Sequence, residues 1–273
     1  MVVVTTTGDR RVDVPVWTMG GTGVFVKEVE AAVLEGRADL AVHSAKDLPS
    51  DTAPGLRLAA VPERADPRDA LVGRRLDDIP TGGRIGTGSV RRRAQLAALR
   101  PDLTFGSLRG NLETRVAKAA GFDAVVVALA AMERLGLEEQ VAEALDPSVM
   151  LPQVAQGALA VECREDDTRT ATAVMGLDDK TARAAVEAER AFLRQLGGGC
   201  DLACGALAQV RPDGRVAIEV LLASLDGHLV LRTGHEGEDP VAVGTEAARI
   251  LLEDCGGRAV LEDTAGPAVV PLG

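Results

Sequence analysis

Aromatic side chains are nearly missing from this chain of 273 residues, which holds one Trp (Trp17), four Phe (Phe25, Phe105, Phe122, Phe192) and no Tyr. Base-stacking platforms are therefore scarce, and a formal charge of −11 opposes adhesion to phosphate backbones or anionic lipid, so neither nucleic acid nor a membrane is expected as a partner. No apolar run reaches about 18 residues, the length a spanning helix needs. The N-terminus, Met1-Val-Val-Val-Thr-Thr-Thr, has no basic stretch ahead of an apolar one, and a cytoplasmic location is expected. Four cysteines (Cys163, Cys200, Cys204, Cys255) are too scattered for a disulfide framework, and with three histidines no metal site is expected.

Against these absences stand 46% hydrophobic and 26% charged residues, the composition of a soluble globular protein, in a length that suits two domains or three small ones. Charge is uneven. From Arg84 to Lys118 there are eight basic residues against two acidic, a local surplus of six in an acidic protein, so one region is built to attract anions.

Periodicity predicts a short β-branched strand over Val2–Thr6, a polar loop over Gly8–Gly23, a helix over Phe25–Leu34 stopped by Gly36, and strands over Ala38–His43, Leu56–Val61 and Asp69–Gly73. Strands over 84–87, 103–108 and 122–127 then alternate with helices over 89–99, 112–119 and 129–135, which implies βαβ crossovers and a mainly parallel sheet. A strand over Ala158–Cys163 and an amphipathic helix over Thr181–Leu196 follow. Strands over Ala206–Val210, Val216–Ala223 and His228–Thr233, with a helix over Thr245–Cys255, then give an α+β third region.

Ile85-Gly-Thr-Gly-Ser-Val-Arg-Arg-Arg93 sets a Gly-rich turn between a strand and a helix. There the first helical N–H groups, the Thr87 and Ser89 hydroxyls and the guanidinium groups of Arg91 and Arg92 can converge on an anion. Successive helical residues point about 100° apart, which leaves Arg93 a solvent or structural role. Arg109-Gly-Asn111-Leu-Glu-Thr-Arg115 repeats the arrangement. In a parallel sheet both loops open on one edge, so Arg91, Arg92, Arg109 and Arg115 would line one cleft, and their planar forks suit a ligand with several carboxylates better than a nucleotide. A solvated basic helix start is the plainer alternative. His43-Ser44-Ala-Lys46-Asp47-Leu-Pro49 follows a buried strand, and an Asp beside a Lys there can stabilise a developing cation or pass a proton, although Asp-x-Pro is also an ordinary turn. Leu196-Gly-Gly-Gly-Cys200 offers an accessible thiol on a glycine run or, alternatively, a helix cap followed by a buried Cys. Cys163 and Cys255 look like small core hydrophobes.

From about Gly8 to Ala208 the chain resembles the porphobilinogen deaminase (hydroxymethylbilane synthase) family, through seven collinear motifs. These are Gly-Thr-Gly-Val-Phe-Val-Lys-Glu, His-Ser-Ala-Lys-Asp-Leu-Pro, Ile-Gly-Thr-Gly-Ser-Val-Arg-Arg, Arg-Gly-Asn-Leu-Glu-Thr-Arg, Glu-Arg-Leu-Gly-Leu, Val-Ala-Gln-Gly-Ala-Leu-Ala-Val-Glu-Cys-Arg and Gly-Gly-Cys. The resemblance implies an α/β fold of two periplasmic-binding-protein-like α/β domains plus a small α+β C-terminal domain. The corresponding division is residues 1–62 with about 153–176, residues 63–152, and residues 177–273. It implies a monomeric transferase of haem biosynthesis that condenses four porphobilinogen molecules, releasing ammonia, into the linear tetrapyrrole hydroxymethylbilane. The cofactor implied is dipyrromethane, covalently attached to Cys200, with Asp47 catalytic. Lys46, Ser44, Thr87, Ser89, Arg91, Arg92, Arg109 and Asn111 would bind this primer, and Arg115, Arg134, Phe25 and Gln156 the substrate.

The sequence departs from that family in starting beyond an Arg-x-x-Ser-x-Leu-Ala segment, in carrying Thr22 where a Lys is usual, and in presenting Cys204 as a second thiol near Cys200. A catalytically impaired paralogue or truncated form, acting as a two-lobed carboxylate-binding protein, is the alternative function.

Overall fold

The computed structural model of the chain describes residues 2–4, 26–198 and 202–265. In chain order the elements are α1 (Lys27–Leu34), β1 (Leu40–Ser44), β2 (Leu56–Ala60), β3 (Asp69–Gly73), β4 (Arg84–Gly86), α2 (Val90–Leu99), β5 (Thr104–Gly106), α3 (Leu112–Ala117), β6 (Ala124–Ala128), α4 (Leu129–Arg134) and β7 (Val141–Ala144). They continue with β8 (Leu159–Arg164), α5 (Thr168–Val174), α6 (Lys180–Leu196), β9 (Cys204–Val210), β10 (Val216–Ala223), β11 (Val230–Gly237), α7 (Pro240–Arg249) and α8 (Gly257–Ala265). These strands form three sheets, ordered β1-β8-β2, β5-β4-β6-β3-β7 and β11-β10-β9, so the α/β class expected from the sequence is the one the chain adopts.

The five-stranded sheet is apolar on both faces, which is why β6 reads as an unbroken run, Ala-Val-Val-Val-Ala, with every residue buried. Leu71, Ile85 and Val126 pack on one side with Leu96 of α2; Val72, Val125 and Val127 pack on the other with Met132 of α4. Side chains that alternate along a strand thus feed two separate cores. The sheet is less parallel than its βαβ pattern predicts: β4 runs parallel to β5 and β6, whereas β3 is antiparallel to both β6 and β7. The two antiparallel pairings involve β3, which arrives from the first sheet, and β7, which precedes the return to it. That first sheet is antiparallel throughout.

Residues 61–68 carry the chain out to the five-stranded sheet and residues 145–158 carry it back, and the two passages touch. Ala65 N–H donates to the Gly157 carbonyl at 3.3 Å, and Gly157 has φ +88°, with a Cβ there falling 2.5 Å from the Ala65 oxygen, so only glycine fits the approach. Helix α6 braces both. Its N-terminus is capped by Asp179, whose carboxylate accepts from Ala182 N–H at 2.7 Å, and it stops at Gly197 with φ +66°. Ala185, Ala188, Phe192 and Leu196 face the core, joined there by Glu189, which is wholly buried. The Glu189 carboxylate accepts from Arg64 Nη1 (2.6 Å) and Nη2 (3.1 Å) on the outward passage, from Ala155 N–H (2.6 Å) on the return, and from Ala208 N–H (2.8 Å) on β9. One carboxylate therefore ties the two connecting passages to the third sheet.

Some local expectations shift. Val2–Val4 carry no strand, and Thr5 and Thr6 lie outside the described residues. The last long helix begins at Pro240 rather than Thr245, because Asp239 accepts from Ala242 N–H at 2.7 Å and the proline occupies the first turn, where no N–H is needed. β7, α5 and α8 are too short or too polar to stand out in the sequence. Cys204 lies buried in β9 and Cys163 in β8, so neither is an accessible thiol.

Removing the Glu189 charge should be costly, since it leaves the Arg64 guanidinium without its carboxylate, held only by the bond from Nε to the Gln156 carbonyl at 2.9 Å. Glu189→Ala is expected to lower unfolding free energy by about 3–5 kcal/mol in urea titrations, and a loss below about 1 kcal/mol would contradict the bracing role.

Candidate active site

The parallel pair β4 and β5 sets two loops side by side at one sheet edge. Thr87 N–H donates to the Gly106 carbonyl at 3.0 Å, and a Cβ on Gly88 would fall 2.8 Å from the Leu108 oxygen, so the Thr87–Ser89 turn lies directly against the approach to Arg109. Each loop ends in a helix cap. The Ser89 hydroxyl accepts from Arg92 N–H at 3.4 Å, and the Asn111 amide oxygen accepts from Thr114 N–H at 2.9 Å. Ser89 and Asn111 thereby shape the loops, while Thr87 is buried with its hydroxyl accepting from Ser89 N–H at 3.2 Å. Arg115 is half-buried and donates through Nε to the Gly110 carbonyl at 2.8 Å. Burial, followed by the nearby charges of Arg92 and Arg109, lowers the Arg115 pKa, so the arginines of the two loops do gather.

Arg91 and Arg92 do not point outward as free forks. Both are buried and both turn onto Asp69, the first residue of β3, whose own exposure is 0%. Arg92 reaches Asp69 Oδ1 with Nη2 (2.7 Å) and Nε (2.9 Å), and its Nη1 donates to the Val126 carbonyl at 2.9 Å. Arg91 Nη1 lies 2.8 Å from Asp69 Oδ2 and donates to the Leu151 carbonyl at 2.6 Å. The Nε and Nη2 groups of Arg91 are buried with no hydrogen-bond acceptor. Burial by itself would raise the Asp69 pKa, but the two guanidinium groups outweigh it and hold this carboxyl well below the usual range. Arg93, as its helical phase predicts, turns away and stacks over the Phe105 ring, 6.0 Å from its centroid.

The turn Ala45–Asp47 after β1 completes the cluster from the first sheet. Lys46 Nζ donates to Gln156 Oε1 at 3.4 Å, and Gln156 Nε2 donates onward to Asp69 Oδ1 at 3.0 Å and to the Pro67 carbonyl at 2.8 Å. Gln156 is wholly buried, and its amide links Lys46 to the Asp69 group across the two sheets. Burial, and to a lesser degree the charges of Arg92 and Arg91, pushes the Lys46 pKa down to about 8, with Asp47 and Asp69 acting in the opposite sense. The Asp47 pKa is raised by burial, a rise moderated by Lys46, His43 and Arg115. Asp47 therefore holds its proton to a higher pH than an ordinary aspartate. Ser44 is half-buried at the end of β1, and Arg134 is exposed with Nη2 donating to the Gly157 carbonyl at 2.7 Å. Phe25 and Cys200 lie outside the described residues.

Three groups escaped the sequence reading. Asp69 passed as the start of an apolar strand, although a carboxylate leading Ala-Leu-Val-Gly into a sheet interior needs a buried cationic partner. His43 and Glu162, both buried, pair at 3.3 Å behind Asp47. Arg190 on α6 is also buried, with Nη1 lacking a hydrogen-bond partner, and desolvation lowers its pKa; only its place on the inward helix face could have signalled it.

Deprotonation of Lys46 gives the cleanest check on this electrostatic picture. Trace acetylation read by peptide mass spectrometry should show Lys46 charged and unreactive below, and neutral and reactive above, a midpoint near 8. A midpoint above about 10, the range of a solvated lysine, would contradict it.

With this geometry in place, comparison with known proteins is decisive. Residues 1–172 match the family model described as porphobilinogen deaminase, dipyromethane cofactor binding domain, and residues 183–253 match porphobilinogen deaminase, C-terminal domain. The chain is 48% identical over 265 residues to the porphobilinogen deaminase of Roseiflexus castenholzii, covering 94% of this chain and 86% of that protein. It is 53% identical over 263 residues to that of Acidothermus cellulolyticus (92% and 79% covered) and 42% identical over 264 residues to that of Brevibacillus brevis (95% and 85% covered). This chain belongs to the porphobilinogen deaminase family.

Proposed function

We propose that this chain is a transferase that condenses four porphobilinogen molecules, with release of ammonia, into a linear tetrapyrrole, and that Cys200 carries its dipyrromethane primer. The observation that carries this reading is Arg91, a buried guanidinium whose Nε and Nη2 meet no acceptor. A pair of parallel N–H groups is complementary to a carboxylate, and an unmatched buried donor costs free energy until such a partner arrives. The residues present thus fit a group bearing acetate and propionate arms. When bound, the dipyrromethane supplies the pyrrole carbon that acts as nucleophile.

Arg91, with Arg109 and Arg115 from the paired loops, holds carboxylates of primer and substrate, and Lys46 adds a cation that is lost as pH rises through about 8. Asp47 serves the reacting end. Its raised pKa lets it retain a proton for the departing aminomethyl nitrogen, and as carboxylate it balances positive charge on the substrate pyrrole once ammonia has gone. A site that only bound carboxylates would have no use for a half-buried acid beside Lys46. Support for Cys200 comes from the other thiols, since Cys163 and Cys204 are buried and Cys255 packs half-buried against the core of the third sheet. The division into residues 1–62 with 153–176, 63–152 and 177–273 belongs to the same proposal. The passages at 61–68 and 145–158 are where the chain changes sheet.

Intact mass of the protein as purified is expected to exceed the chain mass by two pyrrole units, and to fall to the bare chain in Cys200→Ser but not in Cys204→Ser. A bare wild-type chain that consumes no porphobilinogen would overturn the proposal. Asp47→Asn is expected to keep the added mass while turnover drops by about 10²-fold or more, the usual worth of a positioned acid; unchanged turnover would remove Asp47 from the chemistry.

A further inference from the structure

We propose that Asp69 is a positioning residue, the common counter-ion that assembles Arg91, Arg92 and, through Gln156, Lys46 into one cationic wall while leaving a guanidinium edge of Arg91 for a ligand carboxylate. The inference rests on the functional reading above for the nature of that ligand, and on geometry for everything else.

The two arginines divide the work. Every guanidinium nitrogen of Arg92 is engaged within the protein, two on Asp69 Oδ1 and one on the Val126 carbonyl. Arg92 is closed. Arg91 is engaged through Nη1 alone, between Asp69 Oδ2 and the Leu151 carbonyl, so its Nε and Nη2 form a buried edge with no acceptor. Two guanidinium groups on neighbouring residues of α2 would repel one another in an interior of low polarity, and it is the carboxylate between them that permits both to stay buried. Asp69 also accepts from Gln156 Nε2 at 3.0 Å, and the same amide receives Lys46. The wall is thus drawn from β3, α2, the return passage and the turn after β1, and no two of these are adjacent in sequence. Asp69 itself is fully buried with its carboxylate turned onto Arg91, Arg92 and Gln156, so it acts through Arg91 and Lys46.

The test uses Asp69→Asn, which keeps the shape and removes the charge, with three readouts. Primer-bearing protein, measured by intact mass and normalised to the folded fraction seen in thermal unfolding, is expected to fall about tenfold, the worth of one charge-assisted hydrogen bond. The Lys46 acetylation midpoint is expected to move further down, because Arg91 and Arg92 still oppose the ammonium while, of the two carboxylates that favour it, only Asp47 is left. In the primer-bearing fraction, KM for porphobilinogen is expected to rise more than kcat falls. A purely structural Asp69 would lower the unfolding temperature and leave all three unchanged per folded molecule, and that result would overturn the inference. Should Asp69→Asn fail to fold, Gln156→Leu cuts the link to Lys46 with the ion pairs intact; lowered loading is expected, and loading equal to wild type would overturn the inference. A wild-type protein without primer would defeat the functional reading alone, leaving the Lys46 midpoint in Asp69→Asn to decide this one.

Discussion

A carboxylate with no access to water, held between two guanidinium groups, is the constraint on which the rest of this molecule turns. Taken by themselves, buried ion pairs return little stability, because removing three charges from water costs nearly as much as their attraction yields. What such a cluster gives is position. Asp69 accepts from Arg92 in a fixed geometry and leaves Arg91 one satisfied nitrogen and two unsatisfied ones. That orphaned edge is a standing demand for an anion, and it belongs to the same charged cluster as Lys46. The acidic surface and the basic interior of the site are not in conflict, since charge repelled by the whole protein at long range is screened within roughly 10 Å of ordinary salt, whereas these buried contacts are screened far less.

The same device appears a second time, at Glu189. There one carboxylate collects N–H groups from the outward passage, the return passage and β9, as Asp69 collects them from α2 and the return passage. Both acids act on residues 153–157: Glu189 receives the Ala155 amide, and Asp69 receives the Gln156 side chain. Ala155 has φ +58°, the only non-glycine residue in the left-handed region among the described residues, so the backbone is strained where the two carboxylates meet. Surrounding hydrogen bonds overdetermine that conformation. The short strap between them is thus bonded at one residue to helix α6 and at the next to the cationic wall, and Cys200 follows α6 in sequence.

Much of the fold was legible because local signals agreed. Asp69–Gly73 and Val216–Ala223 stand where periodicity puts them, and Ser89, Asn111 and Asp179 cap the helices whose starts they mark. The motif loops also meet as the βαβ pattern predicts. Strand direction in the five-stranded sheet was not legible, because it depends on where the chain leaves for the first sheet and returns, and nothing in β3 or β7 records that. Burial of Arg91 and Arg92 was likewise hidden. A run of three arginines at a helix start reads as a solvated or ligand-facing surface until the carboxylate that neutralises it is found, and Asp69 lies some twenty residues earlier in an apolar strand. Gln156 hid a second property, for nothing in its motif tells that its amide accepts from Lys46 and donates to Asp69 and the Pro67 carbonyl.

The most direct test of this account is a crystal structure of the protein as purified, inspected at Cys200 and at Arg91. Continuous density from Cys200 Sγ, ending with a carboxylate against the Nε and Nη2 of Arg91 while Asp69 still bridges Arg91 and Arg92, is the predicted result. A bare Cys200 thiol, or an attached group whose acidic arms leave that guanidinium edge empty, would contradict it.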